Sequence, residues 1–169
     1  MKKLVKFLGV AVPVALLGAC GGGGEPTETP ADTAADSAVP TATAEPEAPA
    51  PTAEDTTTLD GTTLASLTGD AAHGEQVFAQ CRACHSVEPG KNGLGPSLAG
   101  VVGRTAGAVE GFQYTEANRS SGITWTPEKL YQYLEKPKRV VPGTKMIFAG
   151  MAKGQDRADV IAYLQATGQ

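Results

Sequence analysis

Apolar positions recur at helical spacing in the last hundred residues of the chain. Leu130, Tyr133 and Leu134 share one face of a helix that Thr126, Pro127 and Glu128 open and that must stop before Pro137. Val160, Ile161 and Leu164 share a face of another helix, expected from about Gln155 to Ala166. Asp70 can accept from the free amides of a helix running to about Gln80, with Phe78 on its inner side. Gly74 would let that helix cross the last one closely. No stretch alternates as a strand would, so the expected class is all-α, with helices joined by glycine-rich and proline-rich loops.

Composition divides the chain into three. Of nine aromatic residues, one lies in 1–20, none in 21–68 and eight in 69–169, so only the last segment can build a core. Residues 21–68 hold nine carboxylates and no Lys or Arg among Ala, Thr, Pro and Gly, and are expected to be a disordered acidic linker. As a flexible coil such a linker reaches roughly 40 Å. Residues 69–169 hold eleven basic and nine acidic residues, a net +2, without the dense basic patch of a nucleic-acid binder. Residues 1–19 read as a secretory signal, with Lys2, Lys3 and Lys6 ahead of an apolar run from Phe7 to Leu17 that is too short to span a bilayer. The ending Leu17-Gly18-Ala19-Cys20 resembles the bacterial lipobox, which implies cleavage before Cys20, its acylation and a membrane anchor facing the periplasm. Gly21 follows it in place of the Asp associated with inner-membrane retention, which leaves the choice of membrane open.

The chemistry is carried by Cys81-Arg82-Ala83-Cys84-His85. Two thiols on one helical turn can add to the two vinyl groups of a haem while the adjacent imidazole points at the iron from the same side. A zinc site needs four ligands, and outside the motif the Cys and His residues are Cys20 and His73 alone; a disulfide oxidoreductase needs a βαβ context the chain lacks. One covalently attached haem c is therefore expected. For the second axial position Met146, Met151 and His73 are candidates. Met146 is favoured because Pro142 and Gly143 break any helix and hold an extended loop that can arch over a flat group. Met151 reads as a packed side chain and His73 as a solvated one.

Residues 69–169 resemble a class I cytochrome c of the mitochondrial and alphaproteobacterial type. The resemblance runs collinearly through Gly69-Asp70, the Cys81 to His85 motif, Gly95-Pro96, Gly103-Arg104, Gly111 to Tyr114, Gly122 to Trp125, Tyr133-Leu134, Pro142 to Gly150, Arg157 to Asp159 and Ile161 to Leu164. It implies the class I fold around one haem held by Cys81 and Cys84, with His85 and Met146 axial. It further implies that the Pro96 carbonyl accepts from the His85 ring, and that Tyr114 and Trp125 donate to a buried propionate that Arg104 helps neutralise. Asn118, Tyr133 and Thr144 would form the polar network behind Met146.

A His/Met site leaves the iron no open position, which implies a carrier of single electrons and not an enzyme. The resemblance implies a monomer cycling between a quinol-oxidising cytochrome bc1-type complex and a terminal oxidase. A peroxidase-like haem enzyme, or its electron-donating subunit, is the alternative and requires Met146 to be displaced. Docking is expected around the haem edge at Arg82, Lys138, Lys145 and Lys153. Gln80 and Ala152 stand where relatives of this type carry lysines, so that patch is weak.

Overall fold

The computed structural model describes residues 49–168. Asp70 accepts from Ala72 N at 2.8 Å and His73 N at 3.2 Å, and the helix it caps, α1, spans Ala71–Val77 before tightening into a 3₁₀ turn at Phe78–Gln80. Glu116–Arg119 forms a single-turn α2, capped by Thr115. The Thr126 hydroxyl caps α3, Pro127–Glu135, by accepting from Lys129 N, and Pro127 sits where its missing N–H is not needed. Pro137–Val140 makes a short α4, and Gly154–Thr167 is α5. There is no sheet among the described residues. A single antiparallel bridge, Thr105 with Thr124, is extended by Trp125 N to Arg104 O and Ala106 N to Ile123 O.

The core forms where α1 and α3 pack on α5. Gly74 is buried against the Asp159 carbonyl and the Tyr163 Cβ, so no larger side chain fits at that crossing. Beside it Phe78 meets Tyr163 at a ring separation of 5.2 Å, and Leu130, Leu134, Val160, Ile161 and Leu164 close the apolar interior. Asp159 ties the two ends of this crossing together. Its buried carboxylate accepts from the Asp70 amide at 2.8 Å and from Gln155 Nε2 at 2.7 Å, and lies 2.7 Å from the His73 Nδ1. His73, expected to be merely solvated, is thus hydrogen-bonded to a buried carboxylate.

The expected linker ends sooner than position 68. Residues 51–68 lie along α3 and α5 as a polar strap, with a 3₁₀ turn at Leu64–Ser66. Lys129 Nζ donates to the carbonyls of Thr52 and Asp55, both at 2.8 Å, and Gln132 Nε2 donates to Thr57 O at 2.9 Å. The Glu135 carboxylate accepts from the amides of Leu59 and Asp60, at 2.7 and 3.0 Å. The strap has few apolar residues, and its ordering rests on backbone groups that satisfy buried polar side chains of the helices. The expected signal segment, Cys20 and the linker as far as residue 48 lie outside the described residues. No helix among the described residues is long and apolar enough to cross a membrane.

Candidate haem site

The turn that follows Gln80 keeps both thiols on one side. Cys84 N donates to Cys81 O at 3.1 Å and His85 N to the same carbonyl at 2.9 Å, so the motif is a helical turn carried on the end of α1. Burial, and the neighbouring Cys84, push the Cys81 thiol up to about 11, whereas Cys84 is exposed. The two thiols are not joined to each other.

The His85 ring is fixed from behind. Its Nδ1 lies 2.8 Å from the Pro96 carbonyl, which makes Nδ1 the donor and leaves Nε2 as the ring nitrogen able to bind a metal. Burial lowers the His85 pKa and the Pro96 carbonyl partly opposes it; the neutral, ligand-competent form is favoured. Gly95 lies flat against the imidazole, and any Cβ there would strike the ring. Its amide donates to Cys84 O at 2.8 Å, so the loop that supplies Pro96 is pinned to the motif itself.

Val141–Met151 forms a loop with its ends tied to α3 and α4. Val141 N donates to Pro137 O at 2.9 Å, and Met151 N to Leu134 O at 2.8 Å. Gly143, at φ +87°, makes the bend, and α2 abuts it through Ala117. Within the loop the Tyr133 hydroxyl donates to Met146 Sδ at 3.3 Å, and Met146 N donates to Thr144 Oγ1 at 3.3 Å. Burial raises the Tyr133 pKa, with the Thr144 hydroxyl opposing, so the phenol stays a donor. Met151, by contrast, is a buried core side chain, as expected.

The remaining predicted residues have partners of their own. The ring of Trp125 lies 4.7 Å from that of Tyr133, and its backbone pairs with Arg104. Arg104 donates from Nη1 to Ala99 O at 2.8 Å and from Nη2 to Ser97 O at 2.9 Å, so it closes the loop beyond Pro96 in addition to any role toward a propionate. Burial lowers its pKa. Tyr114, half-buried with a pKa raised by burial, stacks edge-on with Phe112 at 4.8 Å. Asn118 sits on α2, its amide near the Thr115 hydroxyl and its carbonyl accepting from Ser121. Of the expected docking cations, Arg82 is 3.0 Å from Glu75 and Lys153 is 3.4 Å from Asp156. Lys145 donates to Gln113 O and lies 4.4 Å from the Phe112 ring centroid, linking two loops; Lys138 is exposed on α4.

These residues suit a flat apolar group carrying iron. A thiol pair, a half-buried imidazole with one free nitrogen and a thioether held by a phenol make a donor set for haem iron. Cys81, Val87, Leu98, Met146 and Phe148 pack against one apolar core while staying only half-covered, leaving apolar surface for such a group to bury.

The family model described as Cytochrome c matches residues 71–168. The chain belongs to the cytochrome c family. Cytochrome c2 of Blastochloris viridis is 56% identical over 97 residues, covering 57% of this chain and 76% of that protein. Cytochrome c2 iso-2 of Magnetospirillum fulvum is 53% identical over 95 residues, covering 56% of this chain and 99% of its own length. Among solved structures, cytochrome cH from Methylobacterium extorquens superposes with a TM-score of 0.55 at 48% identity, over 58% of this chain and 99% of that one. The fold is that of a class I cytochrome c, haem c is attached at Cys81 and Cys84, and the protein is an electron carrier and not an enzyme. The strap at 51–68 precedes the residues that the family model matches.

Sequence reasoning overlooked the buried polar residues behind the site: Lys129, Gln132, Glu135, Arg157 and Asp159. The available signal was their position. Arg157 and Asp159 flank Ala158 and adjoin Val160 and Ile161 on a helix that had to be buried, where a charge requires a partner.

Proposed function

We propose that the protein is a membrane-tethered carrier that moves single electrons through a haem ligated by His85 and Met146, from a quinol-oxidising cytochrome bc1-type complex to a terminal oxidase in the bacterial periplasm. When bound, the haem supplies a one-electron iron couple. The observation that carries the reading is the pairing of two pre-set donors: His85 with Nδ1 occupied by Pro96 O at 2.8 Å, and Met146 with its sulfur held by Tyr133 at 3.3 Å.

Each donor is fixed by hydrogen bonds within the protein. His85 is held in one tautomer, and the Met146 loop is tied at both ends to helices, so both side chains would be held in place for a bound haem. Little reorganisation is then needed, which suits a carrier. Trp125, beside Tyr133, together with Tyr114 and Arg104 would supply donors for propionates. Lipidated Cys20 would hold the molecule at a membrane, and the strap means that the tether ends near residue 50 instead of 68. With Arg82 and Lys153 beside carboxylates and Lys145 engaged by Gln113, docking draws little on free positive charge.

Steady-state electron transfer in membranes holding the two complexes tests this reading. The purified protein restores oxidase turnover by quinol, and Cys20→Ser leaves the spectrum intact while moving the protein out of the membrane fraction. Peroxide turnover by the protein alone would instead favour an enzyme.

A further inference from the structure

Every residue of α3 from Lys129 to Leu134 is buried, although the helix has only one apolar face. Leu130, Tyr133 and Leu134 face the core. Lys129, Gln132 and the carboxylate of Glu135 are covered by the strap, and each is satisfied by strap backbone groups. Arg157 is covered likewise. Fully buried on α5, it donates from Nη2 to Asp60 Oδ2 at 2.6 Å and to Thr62 Oγ1 at 3.0 Å, while its Nη1 donates to Met151 O at 2.9 Å and faces Glu135 Oε1 at 3.5 Å. The Thr62 hydroxyl proton goes to Asp60, which makes Tyr131 the donor in the 2.7 Å contact between its hydroxyl and Thr62.

One guanidinium thus joins the strap to the carbonyl that ends the Met146 loop, and one carboxylate joins the strap to the end of α3. The Met151 amide is bound to α3 through Leu134 O, so both polar groups of Met151's backbone depend on this assembly. Strap and loop do not rest on each other directly. Between them is a groove of about 440 Å³, walled by Leu59 and Asp60 on one side and by Ala149, Gly150 and Ala152 on the other, with Glu135 at its base. Polar links between them run through Glu135 and Arg157 and, at the start of the loop, through Arg139 of α4, whose Nη2 donates to Thr57 O at 3.1 Å.

We propose that residues 51–62 are a back-side clamp: through Glu135, Arg157 and the outer face of α3 they hold Tyr133 and the end of the 141–151 loop in place, and so keep Met146 on the iron. Asp60 and Thr62 are positioning residues: their side chains act on the ligand through Arg157 and Tyr131, and the Asp60 amide acts through Glu135. The clamp rests on the reading of Met146 as a ligand but not on any donor or acceptor complex. A chain lacking the clamp releases Met146 more readily and lets an external base take its place.

Imidazole binding to the ferric, haem-loaded full chain reads this directly, followed by loss of the sulfur-to-iron charge-transfer band. The comparison is between the unmutated chain, a deletion of 51–62, the double substitution Asp60→Asn with Thr62→Val, and Ala65→Ser, an exposed strap control. The clamp predicts imidazole binding at least about tenfold tighter in the deletion, equivalent to about 1.4 kcal/mol, an intermediate gain in the double variant and none in the control. If the deletion does not fold, the double variant decides. Unchanged imidazole affinity with only a lower unfolding temperature makes the strap a mere structural cover and overturns the clamp. Absence of the band in the unmutated chain overturns the Met146 assignment and the clamp with it, an outcome distinct from a band that is present and unmoved.

Discussion

At the scale of single residues, Met146 and Met151 separate by surroundings. Met146 is half-buried with its sulfur facing a phenol, whereas Met151 is buried in the core and engaged through its backbone. Met146→Ala is expected to abolish the ferric charge-transfer band, lower the reduction potential and admit carbon monoxide. Met151→Ala keeps the band and costs about 2–5 kcal/mol of stability, the range for truncating a buried Met. The reverse pattern in absorption spectra and denaturant titrations would exchange the two assignments. Gly95 belongs at the same scale: Gly95→Ala forces the His85 ring to move, and a broadened or shifted haem spectrum reports it.

At the scale of elements, the α1 to α5 crossing is closed by Gly74 and by the Asp159 carboxylate. Burial works against the Asp159 charge, but the Asp70 amide, His73 and Gln155 outweigh it and hold the carboxyl below its ordinary value of 3.8. Asp60 is held lower still, because the hydrogen bonds from Thr62 and Arg157 outweigh burial. A depressed carboxyl contributes stability that is fully present above its unfolded pKa and lost as pH falls through its folded one. The unfolding midpoint is therefore expected to be flat near neutrality and to fall steadily below about pH 4, with a shallower fall in Asp159→Asn. A midpoint that rises on acidification contradicts this. Gly74→Ala, which drives a Cβ into the Asp159 carbonyl, is expected to cost at least about 1–3 kcal/mol in a denaturant titration.

The same elements mark what could be read from the sequence. Asp70, Thr126 and Pro127 announce helix starts by local hydrogen-bond chemistry, and those helices begin where they were expected. The Cys81 to His85 motif is equally local. The strap was not legible, because Thr, Asp and Gly in 52–63 have no periodicity and find their order only against Lys129, Gln132, Glu135 and Arg157, more than seventy residues away in sequence.

For the whole molecule, charge governs how the carrier meets its partners, and on the proposed reading a tether does so as well. Residues 69–169 carry only +2, and Arg82 and Lys153 sit beside carboxylates. Electron-transfer rates with an oxidase are expected to depend weakly on salt, since exposed charges are screened beyond about 8–10 Å at moderate ionic strength. A slope as steep as that of a lysine-rich cytochrome would sink this expectation. Deleting residues 25–48 is expected to leave haem attachment and potential unchanged and to slow turnover between membrane complexes, whereas a deletion that enters the strap alters the haem spectrum as well.

On the proposed reading His85 and Met146 fill both axial positions, so that the iron exchanges electrons and nothing else. The most direct measurement is the reduced-minus-oxidised spectrum of the purified protein, recorded with and without carbon monoxide. Identical spectra under both conditions, with the sulfur-to-iron band present in the ferric form, are the predicted result; a carbon monoxide adduct formed by the unmutated protein would contradict it.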